Sequence, residues 1–380
     1  MGIVGAGFVG PHHVDAVRRL GFVDVVAVAG SSEASAARKA EAIGARKAYG
    51  SYEALIADPD VHVVHNATPN YLHYPVSAAA IASGKHVVSD KPLAMTSAEA
   101  KDLLDRANRA GIVHAVTFNY RGNPLVQQAR LAVAKGELGR PHLVHGHYLQ
   151  DWLLKESDYS WRLEPDKGGA SSAIGDIGSH WCDLAEFVTG HRIARLSART
   201  LTAVPDRVRA LHRAAFAAGG SDGETRPVGT EDAAVMQFET DRGAVGTTVI
   251  SQISAGRKNR LWLEVDTAEE SFAFDQEQPE TLWCGRRESV SLLRRDPAVL
   301  SELAARLSWL PAGHSQGWGD CFAAFIADAY AAIRQGEPVD GLPVFADGLR
   351  AARITHAVLE SATKDQWVDV PTHEPMEVAR

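Results

Sequence analysis

"GIVGAGFVGPHH", Gly2–His13, decides the fold. Gly5, Gly7 and Gly10 stand in G-x-G-x-x-G spacing, directly after a strand-like apolar run and at the start of a helical pattern. Gly5 permits a tight turn, Gly7 lets the backbone approach a pyrophosphate, and Gly10 lets helix and strand pack closely. The loop between them, with Phe8 and Val9, would then lie along a dinucleotide. The helix N-terminus behind it faces the phosphates with unpaired amides and its positive dipole end. A lone glycine triplet says little, because turns use glycine freely. Here it sits in a strand–turn–helix context at the head of a longer alternating pattern.

That pattern runs outward over about 118 residues. Strand-like runs occur at Gly2–Val4, Val23–Ala29, Val61–Asn66, His86–Ser89 and Val113–Phe118. Helical stretches fall between them, at about Pro11–Leu20, Ser35–Ile43, Tyr52–Ala57 and Pro75–Ser83. A fifth opens at Thr96 and Glu99, whose spacing is that of a capping box. Val-rich strands separated by helices imply a parallel sheet covered on both faces, a doubly wound α/β domain. Beyond Asn119 the texture changes. Helical pieces at Pro124–Lys135 and Asp176–Thr189 are followed by long strands joined by short turns: His142–Leu149, Ile193–Val204, Ala233–Glu239, Ala244–Ser254, Leu261–Asp266 and Glu270–Asp275. "ETDRGAV", Glu239–Val245, reads as a hairpin turn with Gly243 free to take positive φ. Helices at Trp318–Arg334 and Pro343–Ser361 close the chain, and Ala217–Gly229 reads as a mobile loop. The expected organisation is an α/β dinucleotide-binding domain over residues 1–118. An α+β domain with a large, mostly antiparallel sheet is expected over 119–380.

The totals agree with two cores. The chain has 380 residues, 45% apolar and 23% charged, as expected of a soluble globular protein. Its net charge of −8 argues against a general nucleic-acid or membrane-surface binder, which needs a basic excess. Cys182, Cys284 and Cys321 lie far apart and fit reduced thiols in a cytoplasm. No apolar stretch has membrane-spanning length and no leader precedes the fold. The opening strand is short, which leaves the completeness of the N-terminus open.

The tip of the second strand is where a carboxylate normally holds the ribose 2′-hydroxyl. This chain has Gly30, Ser31 and Ser32 there. A 2′-phosphate would be tolerated, with Arg38 or Lys39 in reach, so NAD and NADP both remain open. Two further stretches carry chemistry: "SDKP", Ser89–Pro92, and "GDIGSHWCD", Gly175–Asp183. If the second is helical, Asp176, His180 and Asp183 share a face, and a carboxylate one turn from a histidine orients it and raises its basicity. Lys91 ends a parallel strand, where open α/β sheets bind ligands. Oxidising an alcohol needs a base for the hydroxyl proton and a cation for the developing alkoxide. His180 is the candidate base and Lys91 the candidate cation. Two clusters, His180/Cys182/Asp183 and His145/His147/Asp151, lack usual ligand spacing, so no metal is expected.

These residues together resemble the Gfo/Idh/MocA oxidoreductases, which include glucose–fructose oxidoreductase and inositol dehydrogenase. The resemblance spans nearly the whole chain. "GIVGAGFVG" is similar to the family's Rossmann opening. "ATPNYLHYPVSAAAIASGKHVVSDKPLA" is similar to a signature usually ending E-K-P, with Asp90 in place of the glutamate. "GDIGSHWCD" fits D-x-G-x-H-x-x-D. The resemblance implies a Rossmann domain followed by an open-faced sheet that pairs subunits into a homodimer or homotetramer. It implies Lys91, Asp176 and His180 as the catalytic residues. It places Thr68, Pro69, Asn70, His73 and Asp90 near the nicotinamide. Arg121 in "NYRGNP" and Trp161 with Arg162 in "YSWRLEPDKGG" are implied substrate contacts, since an indole face suits a pyranose and arginine donates to hydroxyls. Other candidate contacts are Trp152, Lys155, Trp283 and His314. The Lys91–Pro92 isomer is left open. The implied activity is hydride transfer between a ring hydroxyl of a sugar, sugar derivative or cyclitol and NAD or NADP. An alternative is glycoside cleavage through transient C3 oxidation, with an extra base among His145, His147, His180 and Tyr120. A catalytically silent NAD(P)-binding sensor is a third, disfavoured because Lys91 and His180 are both present.

Overall fold

The structure is a computed structural model that describes residues 1–210, 223–337 and 339–371. In chain order the first unit has β1 (Gly2–Val4), α1 (Gly10–Arg19), β2 (Ala27–Ala29), α2 (Glu33–Ile43), β3 (Lys47–Tyr49), α3 (Tyr52–Ala57), β4 (Val63–Asn66), α4 (His73–Ala82), β5 (His86–Ser89), α5 (Ser97–Ala110) and β6 (His114–Val116). The strands form a parallel sheet of order β3-β2-β1-β4-β5-β6. That is the doubly wound order whose chain reversal between β1 and β4 opens a crevice at the strands' carboxyl ends. The central strands bury both faces, so they read as continuous apolar runs. Thr96 and Glu99 make the expected capping box at α5. The sequence reading missed β3, a half-exposed edge strand whose Lys47 Nζ reaches the carboxylates of Asp58 and Asp60. An edge strand needs only one apolar flank and leaves a weak pattern.

The second unit continues with α6 (Pro124–Ala134), β7 (Pro141–Leu149), α7 (Pro165–Gly168) and α8 (Ser179–Thr189). Then come β8 (Ile193–Leu201), β9 (Asp206–Ala210), β10 (Gly223–Pro227), β11 (Ala233–Thr240), β12 (Val245–Ser251), β13 (Arg260–Thr267), β14 (Ser271–Asp275), β15 (Thr281–Arg286) and β16 (Ser289–Arg294). It ends in α9 (Glu302–Ala305), α10 (Trp318–Gln335), α11 (Phe345–Lys364) and β17 (Val368–Asp369). The large sheet has the order β16-β15-β14-β13-β7-β12-β11-β8-β17 and is antiparallel except for β7 against β12. Gly243 takes φ 81° in the β11–β12 turn, as its spacing suggested. Of the segment read as a loop, residues 217–222 lie outside the described residues. Gly223–Pro227 is instead a strand, paired antiparallel with Asp206–Ala210.

One face of the large sheet packs on α8 around Trp181, fully buried, whose indole N–H donates to the Trp262 carbonyl at 2.9 Å. The last two long helices return to the first sheet. Phe322, Phe325, Ile326 and Ala329 of α10 share a core with Ile3, Val14, Val17 and Val28. Phe345 and Leu349 of α11 share another with Leu93, Leu103 and Phe118. Residues far along the chain thus complete the helical cover of the N-terminal sheet and bring α10 beside the mouth of its crevice.

Candidate active site

The glycine loop is shaped for close approach. Gly5 has φ +83°, and a Cβ there would lie 2.5 Å from the Ala67 carbonyl oxygen. A Cβ on Gly10 would meet the Gly5 carbonyl oxygen at 2.9 Å. At Gly7 nothing lies within 4 Å, so that face is open to a ligand. Helix α1 starts at Gly10 with no side-chain cap; Pro11 has no N–H to offer and the His12 N–H donates to the Val9 carbonyl at 3.0 Å, so the helix start favours an anion chiefly through its positive dipole end. A cradle that a Cβ would close or fill, beside an uncapped helix start, fits a dinucleotide diphosphate.

Beside the loop lies a cavity of about 370 Å³. Phe8, Val9, Trp318 and Phe322 give it an apolar wall. Asp90, Lys91, Arg162 and Asp176 give it a charged one, with His180 beside them. Lys91 follows β5, and the Lys91–Pro92 bond is cis. Its Nζ donates to the Asp176 carbonyl and to Asp176 Oδ1, each at 2.6 Å. Gln252 Nε2 donates to the other carboxylate oxygen at 2.9 Å, and Arg162 Nε stands 3.6 Å from Oδ1. Burial pushes the Asp176 carboxyl up, but Lys91 and Arg162 outweigh it and bring it to about 2. Asp176 is therefore a held carboxylate at neutral pH. Burial and then Lys91 hold His180 well below its ordinary 6.5, so the ring is neutral and can accept a proton.

Asp176 and His180 line the same cavity, as helical spacing suggested, and the carboxylate favours the charged ring, but the carboxylate's hydrogen bonds go elsewhere. Residues Ile174–Gly178 form a π turn, which changes the angle between side chains four apart. The carboxylate goes to Lys91 and Gln252, while the His180 ring lies against Phe118, Tyr120 and Tyr148 at centroid distances of 5.6, 5.1 and 6.5 Å. His180 Nδ1 is buried with no hydrogen-bond partner among the described residues.

Other expected residues separate into two groups. Phe8, Val9, Asp90 and Arg162 join the cavity. Asp90 accepts from the Lys91 backbone N–H at 2.9 Å. Thr68, Asn70 and His73 brace the walls instead. Thr68 Oγ1 donates to Asn66 Oδ1 at 2.7 Å, and Asn70 Nδ2 donates to the Gly168 carbonyl at 2.8 Å. The His73 ring lies between the Pro92 and Thr68 carbonyls at 2.5 and 2.8 Å. Pro69 caps the short turn Asn70–Leu72. Trp161 is half-buried and lies beneath the Arg162 guanidinium at 4.6 Å rather than on the cavity. Ser32 caps α2 by accepting from Ser35 N–H, Ser31 and Arg38 are exposed, and no carboxylate stands at the β2 tip.

Arg121 is also a correction. It is buried away from the cavity, bonded to Asp183 and, at 2.9 Å, to Asp347, with its guanidinium 4.6 Å over Phe187. His145 and His147 flank the inward Gly146 and so project from the face opposite Tyr148, which removes them as bases for this cavity. Neither metal cluster considered from spacing forms, because Asp183 pairs with Arg121 and Asp151 with Lys258. Among the described residues the group that could gather round one ion is His145, Glu264 and Asp266, on the outer sheet face.

The sequence reading missed Asn119, Tyr148, Gln150, Gln252, Asn259 and Trp318. Tyr120 O–H and Tyr148 O–H meet at 2.6 Å, Tyr148 donates to Asn259 Oδ1 at 2.6 Å, and Asn259 Nδ2 donates to Tyr120 at 3.2 Å, closing a ring of hydrogen bonds. Gln150 Nε2 joins at Asn259 Oδ1, 2.9 Å away. The signal available was alternation: Tyr148 and Gln150 share the inward side of the strand that carries two outward histidines.

Comparison with known proteins agrees with this geometry. Residues 1–118 match the oxidoreductase family with an NAD-binding Rossmann fold, and residues 126–272 match the GFO/IDH/MocA C-terminal domain. A levoglucosan dehydrogenase of Pseudarthrobacter phenanthrenivorans is 33% identical over 386 aligned residues, covering 98% of both chains. A levoglucosan dehydrogenase solved with NADH and levoglucosan superposes with TM-score 0.88 at 31% identity, over 98% of this chain and 99% of the other. An inositol dehydrogenase homologue with NAD+ from Azotobacter vinelandii gives 0.86 at 27% identity, over 97% and 96%.

Proposed function

We propose, for a chain that belongs to the GFO/IDH/MocA oxidoreductases, that the substrate is a pyranose-sized sugar oxidised at a ring hydroxyl. The enzyme is an NAD(P)-dependent oxidoreductase acting on CH–OH groups of sugars or cyclitols. The observation that carries the reading is the Lys91–Asp176 bond beside neutral His180, in the same cavity as the glycine loop.

Bound nicotinamide supplies the hydride acceptor. Lys91 donates to the reacting oxygen and stabilises negative charge as it develops there. Asp176, fixed by Gln252, aims that ammonium. His180 takes the hydroxyl proton, so the alcohol leaves as a ketone with one hydride and one proton accounted for. Arg162 and the Tyr120–Tyr148–Asn259 ring offer donors and acceptors to the remaining hydroxyls, and Trp318 and Phe8 give an apolar face to the planar cofactor ring. Gly5, Gly7, Gly10 and the start of α1 hold the diphosphate. Residues 1–118 are assigned as the cofactor domain and 119–380 as the substrate domain.

Two copies pairing through the outer sheet face is the proposed assembly. Leu201, Val235, Val245 and Val249 are exposed there, with Val235 directly opposite Val249. Light scattering of the purified protein reads the oligomer. Among the described residues no helix is long and apolar enough to cross a membrane. The free thiols Cys182, Cys284 and Cys321 support a reducing cytoplasm.

The test is appearance of reduced nicotinamide absorbance with NAD or NADP and a panel of levoglucosan, glucose, xylose and myo-inositol. A thermal-shift screen with each cofactor precedes it. Cofactor binding without oxidation of any sugar overturns the substrate class. Cleavage of a glycoside with no net reduced cofactor selects the elimination route through transient C3 oxidation.

A further inference from the structure

The turn that carries Asp176 is held from outside, and one side chain does most of the holding. Glu231 Oε1 accepts from the Ser172 and Ile174 N–H groups, each at 3.0 Å, and from the Ser171 hydroxyl at 2.6 Å. The Glu231 carbonyl takes the Ala173 N–H at 3.2 Å, and Ser171 Oγ takes the Gly175 N–H at 2.9 Å. Four successive amides at the start of the π turn are satisfied in this way, three of them by Glu231. Glu231 is 4% exposed and Ser172 2%, so water cannot stand in for a lost acceptor.

Glu231 is itself fixed. It leads into β11, and Gln252 follows β12. Ala233 stands opposite Ser251, so Glu231 and Gln252 leave the sheet at the same end. The Gln252 N–H donates to the Asp232 carbonyl at 3.0 Å. Asp232 pairs with Arg207 at 2.6 Å, both fully buried, and its other oxygen accepts from the Ala203 and Val204 N–H groups at 2.8 and 2.9 Å. From this anchor Glu231 grips the backbone of the turn. Gln252 grips the Asp176 carboxylate at 2.9 Å and the Ser172 hydroxyl at 3.1 Å. A π turn is rare and needs such support. Relaxing to the α register would rotate side chains in the turn by up to about 100°, the angle between successive residues. The 2.6 Å contact of Asp176 Oδ1 with Lys91 Nζ would not survive that rotation.

We propose that Glu231 is a positioning residue for the reaction, whose grip on the first amides of the π turn keeps the Asp176 carboxylate on Lys91. It does not line the cavity and acts only through Asp176. Its kinetic consequence rests on the dehydrogenase reading; its geometry does not.

Glu231→Ala removes the side-chain acceptor. The expected kcat for sugar oxidation is lower by about 100-fold, the usual cost of a displacement near 1 Å. The sugar KM changes little and the cofactor-induced thermal shift persists. Glu231→Gln keeps an accepting oxygen and recovers most of the kcat. In the Asp176→Asn background Glu231→Ala costs nothing further, because the carboxylate it positions is already gone. Losses that multiply, or a Glu231→Ala enzyme with wild-type kcat, overturn the proposal. Ser171→Ala removes the hydroxyl between Glu231 and Gly175 and serves the same cycle where Glu231→Ala does not fold. It should lower kcat alone and add nothing to Asp176→Asn, and multiplying losses there overturn the proposal equally. A crystal structure of the folded variant decides without turnover. The Lys91–Asp176 contact should open beyond about 3.2 Å. A contact kept at hydrogen-bond length overturns the positioning role whatever the substrate proves to be. A wild-type protein that oxidises no sugar overturns the dehydrogenase reading and leaves this structural readout standing.

Discussion

Lys91 Nζ is held at 2.6 Å by both the backbone carbonyl and the carboxylate of Asp176, 85 residues further on. A contact of this kind serves position more than stability. The two side chains are 13% and 17% exposed, so water does little to replace a lost partner. Asp176→Asn keeps the shape but loosens the ammonium. The expected loss in kcat is on the order of 10²–10⁴-fold, the usual worth of a positioned proton-transfer or charge-stabilising group. The cofactor-induced thermal shift should persist. Full activity in Asp176→Asn or Lys91→Met would remove both residues from the chemistry.

The glycine loop gives a paired prediction. Gly5 has both a left-handed φ and a neighbour 2.5 Å from any added Cβ, whereas Gly7 has open space around it. Gly5→Ala should therefore lower the melting temperature of the cofactor-free protein. Gly7→Ala should leave that temperature alone and weaken NAD or NADP by at least about tenfold, or about 1.4 kcal/mol. Thermal denaturation with and without cofactor reads both. A Gly7→Ala protein that binds cofactor normally places the diphosphate elsewhere.

What the sequence revealed depended on how local each signal was. Gly5, Gly7 and Gly10 work through spacing inside one turn, and Thr96 with Glu99 caps its own helix, so both were legible. Lys91 was legible as a charge at the end of an apolar strand. The partner of Asp176 was not, because the π turn at Ile174–Gly178 leaves no clear mark in residue type. Gln252 and Asn259 reach the site only through the register of β12 and β13 against β7. Nothing near them in sequence says which inward position will face the cavity. Arg121 misled because a buried arginine between two carboxylates and a substrate-binding arginine look alike until Asp183 and Asp347 are seen beside it.

That placement yields its own test. Arg121 pairs with buried Asp183 and half-buried Asp347, and burial already pushes Asp183 up to about 6 despite the guanidinium. Arg121→Met strands both acids. The expected cost is about 3–5 kcal/mol of stability, the usual penalty for breaking a buried pair from one side. Any folded fraction should show an unchanged KM. A stable Arg121→Met enzyme with a raised KM would return this residue to substrate binding.

The acid limb of stability should come from buried histidines. His114 Nδ1 accepts the Phe345 N–H at 3.1 Å and ties the start of α11 to β6. Burial lowers its pKa from 6.5 to about 4, with Asp347 opposing. A folded-state pKa below the unfolded value means that the unfolded chain binds the extra proton between those two pH values. Stability is then full above pH 6.5 and falls as pH drops toward about 4, where the folded form also protonates. At about 1.4 kcal/mol per pKa unit, roughly 2 kcal/mol of this residue's contribution is gone by pH 5. Asp176, lowered to about 2, acts only in the more acidic window below its ordinary 3.8 and leaves this range untouched. His114→Asn keeps an acceptor at the same reach without the titration. Its melting temperature should fall less than that of the wild type between pH 7 and pH 5. An equal fall in both proteins would assign the acid sensitivity to other groups, with His13 the next to replace.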